Sequence, residues 1–122
     1  LDFYHNKMYG QPLTNLSYAK ADHGPIIDNH KEIIDYLLEV NSIKKDIQND
    51  DRIVFSSDIS FDKTFFSKEE LESMEYIKNK LKGKTASELS NWSHKFLGWQ
   101  ETSKGHIIDF KKYRNDFNIE NI

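Results

Sequence analysis

Three times in this chain a small polar residue stands three positions ahead of a glutamate, with an apolar stripe behind it. The segments are Asn29-His30-Lys31-Glu32, Ser67-Lys68-Glu69-Glu70 and Thr85-Ala86-Ser87-Glu88. In such a box the first side chain accepts the amide proton three residues on, and the glutamate reaches back to the cap amide. Each box therefore predicts a helix start. After the first, Ile33, Leu37 and Val40 form one stripe with Ile34 and Leu38 beside it, predicting an amphipathic helix of about four turns. After the second, Leu71, Met74, Ile77 and Leu81 recur at spacings of three and four. Glutamates fill the first half of that helix and lysines the second, which complements the helix dipole, and Gly83 is the expected stop. After the third, Leu89, Trp92 and Phe96 continue at helical spacing.

Elsewhere the periodicity changes. Ile43 to Ile47 and Arg52 to Ser56 flank the turn-like cluster Asn49-Asp50-Asp51, and Ile53-Val54-Phe55 is β-branched and aromatic. A hairpin is predicted there. His106-Ile107-Ile108-Asp109-Phe110 follows Gly105 as a candidate third strand. Lys111 to Ile122 reads as a final short helix. Leu1, Tyr4 and Met8 share a helical face, with Gly10 as C-cap, so the chain opens on what reads as the tail of a helix that began earlier. Gly24-Pro25 reads as a turn ahead of the Asn29 helix. The expected class is α+β, mainly helical: several amphipathic helices with a small antiparallel β-sheet.

The chain has 122 residues, enough for one domain with a real core. Aromatic residues make up 13%, so that core should be aromatic-rich. A net charge of −3 argues against a general nucleic-acid binder, which needs a basic face. Absence of cysteine rules out disulfides and thiolate metal sites and fits a reducing cytoplasm. No apolar run approaches membrane-spanning length. The stretch from Asp46 to Asp62 holds five acids and one arginine. It is either a solvated hairpin or a docking face for a basic partner.

Catalytic patterns are sparse. His23 and His30 are separated by the helix breaker Gly24-Pro25, and His94 and His106 fall in different elements, so no metal cofactor is expected. Ser93 and His94 are adjacent, but neighbours on a helix point in different directions. No G-x-S-x-G elbow is present, and glycine-rich phosphate loops are absent. A small hydrolase or metal enzyme using His94 is the minor alternative, and no enzymatic activity is expected. Trp92, in register with Leu89 and Phe96, reads as core. Trp99 lies outside that register and is balanced between a core residue and an interface anchor.

Two motif groups remain. The first is Tyr9-Gly10-Gln11-Pro12-Leu13-Thr14, then Tyr18, then His23-Gly24-Pro25-Ile26. The second is Leu89-Ser90-Asn91-Trp92-Ser93-His94, then Trp99, then Ile107 or Ile108. In order and spacing these resemble the SocA-like antitoxin domain, also called the Panacea domain. Phe3, Tyr4, Ser67, Glu70 and Leu71 match it too. The resemblance runs from Leu1 to about Phe110, and 1–122 reads as a single such domain lacking its N-terminal helix. His23 departs from the aromatic residue common before Gly-Pro in that family.

The resemblance implies an antitoxin-type protein-binding domain. It would neutralise a cognate protein toxin by direct complex formation in the cytoplasm. An alternative is a proteolytic adaptor that delivers the toxin to a protease. Members also occur in phages and prophages. No nucleic acid, membrane or cofactor is implied for this domain. The expected partner-binding residues are Tyr18, Gly24, Pro25, His94 and Trp99, with fold maintenance as the competing role, above all for Gly24 and Pro25.

Overall fold

Gly10 ends the first helix as its spacing predicts. In the computed structural model, which describes residues 1–120 and 122, α1 runs Asp2–Tyr9 and Gly10 adopts φ 85°, donating its amide to Asn6. The buried face is not the one the Leu1, Tyr4, Met8 stripe predicts. Asp2, His5 and Asn6 are buried, while Leu1 and Met8 stand 40% and 52% exposed. Specific polar partners explain the reversal. Besides Asp2, His5 Nδ1 bonds Ser73 Oγ at 2.8 Å, and Asn6 donates to the Phe110 carbonyl at 2.8 Å. A buried polar group with a partner can displace an apolar one without a large penalty.

The chain divides into two compact units. One joins Leu1–Asp28 to Thr64–Ile122, and the other is Asn29–Lys63.

In the first unit α1 is followed by an antiparallel hairpin, β1 (Tyr18–Ala21) and β2 (Gly24–Ile27). This corrects the reading of Gly24-Pro25 as a turn; both residues lie in β2. Proline fits because its partner Lys20 faces the other way. The Lys20 amide donates to His106 O, and its carbonyl accepts from Gly105 N. The Lys20–Pro25 pair therefore needs no proline N–H. The Lys20 bond to His106, with the Ile108 amide donating to the Tyr18 carbonyl, places Ile107 beside Ala19 as an isolated bridge, all that forms of the expected third strand.

Helix α3 (Lys68–Leu81) is capped by the Ser67 hydroxyl, which accepts from Glu70 N. Gly83, at φ +78°, follows its end. Helix α4 (Ala86–Ser93) carries a complete box: Thr85 and Glu88 each accept from the other's backbone amide. The helix does not continue to Phe96, contrary to the periodicity. It stops at Ser93, and Phe96 becomes the N-cap of a short α5 (Leu97–Glu101). The break turns the Phe96 ring into the core, over Gly98. The tail forms a 3₁₀ turn at Arg114–Asp116 rather than an α-helix; Asn121 lies outside the described residues.

The core is aromatic, as the composition implies. Ile77, Phe96, Ile108, Tyr113, Phe117 and Ile119 are buried together, with Trp92 and Trp99 packed against them. Phe3 is the hub, its ring centroid 5.0 Å from Phe96, 4.6 Å from Phe110 and 5.7 Å from Phe117.

The second unit consists of α2 (His30–Glu39) and the hairpin β3 (Lys44–Ile47) with β4 (Ile53–Ser56). The hairpin is the predicted one. Helix α2 is shorter than expected, ten residues. Asn29 does not cap it with its side chain: φ 57° and ψ 31° put it in the left-handed region. A side-chain cap needs an extended backbone at that position, and asparagine tolerates the left-handed one. The fold class is thus α+β and mainly helical, with two small two-stranded antiparallel sheets.

Candidate functional site

The two motif groups, more than sixty residues apart in sequence, meet around the β1–β2 hairpin. Asp2 anchors it from below. Its carboxylate accepts from the Thr14 amide at 2.8 Å, the Thr14 hydroxyl at 2.6 Å and the Tyr18 hydroxyl at 2.7 Å. Burial opposes the ionised carboxylate, but the Thr14 and Tyr18 bonds outweigh it and hold Asp2 below the ordinary carboxylate range. Burial, followed by the bond to Asp2, pushes the Tyr18 phenol well above its usual range. Tyr18 is therefore a neutral donor. Asp2 escaped the sequence reading because its partners lie twelve and sixteen positions away.

Gly24 holds the hairpin against α4. It sits at φ +127°, and a Cβ there would lie 2.5 Å from Ser93 Oγ. Both facts demand glycine.

His94 and Trp99 grip the hairpin turn from the other side. His94 Nε2 lies 3.0 Å from the Asp22 carbonyl oxygen. A carbonyl only accepts, so Nε2 carries the proton. The Trp99 indole donates to the Ala21 carbonyl at 2.9 Å. The two rings stack at 4.0 Å and 16°, and Lys20 Nζ sits over the indole at 4.3 Å. Ser93 donates to the Ser90 carbonyl at 2.8 Å, so its hydroxyl is not held by His94. Among the described residues no group of three or more histidine, aspartate or glutamate side chains is arranged to hold a metal ion.

Beside this clamp opens a largely apolar cleft of about 960 Å³. Tyr18, Gly24, Pro25 and His94 all line it, as do Leu89 and Trp92. Trp99 does not line the cleft; it backs His94. Four of the five expected binding residues thus share one concavity, and the fifth supports it.

Residues 1–100 match the family described as antitoxin SocA-like, Panacea domain. The chain belongs to this family. No curated protein and no solved structure matches it. The Panacea motif residues have clear physical jobs here. Thr14 and Tyr18 satisfy a buried acid, Gly24 allows a close approach, and His94 and Trp99 bind the hairpin carbonyls. Among the described residues no helix is long and apolar enough to cross a membrane.

Trp99→Ala removes a half-buried ring, its stack and its hydrogen bond, and should lower stability by about 3 kcal/mol. Trp99→Phe keeps most of the ring and should lose only about 1 kcal/mol. Urea unfolding measures both. Equal losses from the two variants would show that the indole hydrogen bond, and not the ring, holds the turn.

Proposed function

We propose that this Panacea domain neutralises a cognate protein toxin by forming a direct complex with it, without catalysis. The family match over residues 1–100 carries the reading. The cleft offers a contact region for it. Tyr18, Gly24, Pro25 and His94 frame an open, mostly apolar hollow, the form in which a few anchoring side chains of a partner can be buried. Trp99 serves the contact indirectly, by fixing His94 and the hairpin turn. A standard interface buries roughly 1,600 Å² in total, so the cleft would form only part of the contact.

The test is co-expression with the product of the neighbouring reading frame. Growth restored together with a co-purifying complex and an unchanged toxin level supports masking in the cytoplasm. Growth restored while the toxin disappears from the cell points to an adaptor that recruits a protease. A harmless neighbour removes the basis for the toxin reading.

A further inference from the structure

The unit Asn29–Lys63 carries apolar surface that it does not cover. None of its residues is buried. The β3–β4 register pairs Ile47 with Ile53 and Lys45 with Phe55. Strand side chains alternate between faces, so Ile47, Ile53 and Phe55 share one face of the hairpin. They are 62%, 49% and 44% exposed. Lys44, Asp46, Val54 and Ser56 take the other face. Ile59, just beyond β4, is 65% exposed. Lys45 sits at the edge of the Ile47, Ile53, Phe55 face, and Val54, 42% exposed, is the one large apolar side chain on the opposite face. A two-stranded hairpin is marginal in water by itself, and three exposed apolar side chains gathered on one face are the pattern of a contact surface.

Charge identifies the kind of partner. This unit holds eight acidic and five basic residues, whereas the rest of the chain holds twelve of each. The whole net charge of −3 therefore belongs to the unit with the open apolar face. Asp50, whose carboxylate lies 3.6 Å from Arg52 Nε at the surface, and Asp51 form the exposed tip next to the Ile47–Ile53 pair. A second copy of the chain would set one unit of net charge −3 against another, which is unfavourable. A nucleic acid is excluded by the same sign. A protein surface with an apolar centre and a lysine- or arginine-rich rim satisfies both features.

We propose that the apolar face of the β3–β4 hairpin docks onto such a basic protein surface, and that this surface belongs to the toxin. The inference rests on the antitoxin reading above and extends it to a second contact, distinct from the cleft. The acidic tip steers the encounter, and Ile47, Ile53 and Phe55 provide the buried centre.

The experiment titrates the purified full chain against the product of the neighbouring reading frame, at low and at high salt, beside growth rescue. Two variants are compared with the wild type. Ile53→Ser with Phe55→Ser removes two of the three apolar side chains of that face and should weaken binding roughly tenfold or more. Asp50→Asn with Asp51→Asn removes charge from the tip; asparagine suits the left-handed backbone at Asp51, φ 61°. That variant should bind several-fold more weakly at low salt and match the wild type at high salt. If both variants bind like the wild type while growth is rescued, the hairpin proposal is wrong and the antitoxin reading survives. A wild type that neither binds nor rescues overturns both. A wild type that self-associates in sedimentation, with the apolar variant monomeric, assigns the face to a second copy and overturns the proposal. Should the apolar variant melt early, the exposed aspartate pair decides alone: unchanged low-salt affinity sinks the idea.

Discussion

Replacing Asp2 by alanine is expected to lower the folding free energy by about 3 kcal/mol at neutral pH, because it strips the acceptor from three donors at once. The Thr14 amide, the Thr14 hydroxyl and the Tyr18 hydroxyl all end on this one carboxylate, which is 2% exposed. The pH dependence has a definite sign. Folding depresses the Asp2 pKa, so as pH falls the unfolded chain takes up the proton first. The stabilisation is complete above about pH 4 and is lost as pH drops through the lower, folded value. Asp2→Asn cannot titrate, so its stability curve should be flatter by up to one proton on the acid side. Urea unfolding from neutral pH down to about pH 2 measures this. An acid limb unchanged in Asp2→Asn would mean that another carboxylate governs acid unfolding.

How far the fold was legible depends on how local each signal is. The starts of α3 and α4 are fixed by a cap side chain and an amide three residues on, and the sequence reading found both. The β3–β4 hairpin announces itself through Asn49-Asp50-Asp51 followed by the β-branched and aromatic run Ile53-Val54-Phe55. Asn29 carries the right residue type for a cap but the wrong backbone, and no neighbouring residue reveals that. The β1–β2 hairpin was missed because its evidence is distant. Pro25 is tolerable in a strand only because Lys20 directs its backbone groups to Gly105 and His106. Likewise Phe96 leaves the α4 register because the core offers its ring Phe3 and Phe117. The candidate site shows the same division. Tyr18, Gly24, Pro25, His94 and Trp99 were visible as a motif through family resemblance. What each of them touches was not: Asp2, Ser93 and the carbonyls of Ala21 and Asp22 are all set by tertiary approach.

Gly24 gives the sharpest test of that approach. Gly24→Ala should destabilise the fold by about 2–4 kcal/mol from two separable sources. One is backbone strain, since an L-residue rarely adopts φ +127°. The other is contact: the new Cβ would lie 2.5 Å from Ser93 Oγ and 3.3 Å from Ser93 Cβ. The Ser93 hydroxyl can turn aside only by giving up its bond to the Ser90 carbonyl. Ser93→Ala alone removes that bond at a helix end and should cost under about 1 kcal/mol. In the double variant the 2.5 Å contact is gone and the strain remains. The two changes should therefore be non-additive, with the double variant about 1 kcal/mol more stable than the sum of the single losses predicts. Thermal or urea unfolding of the four proteins closes the cycle. Strict additivity would show that the backbone angle alone demands glycine and that α4 does not press on β2 at this point. The predicted coupling would instead tie the Gly-Pro motif physically to the Ser-His motif, two segments whose contact no local sequence signal reveals.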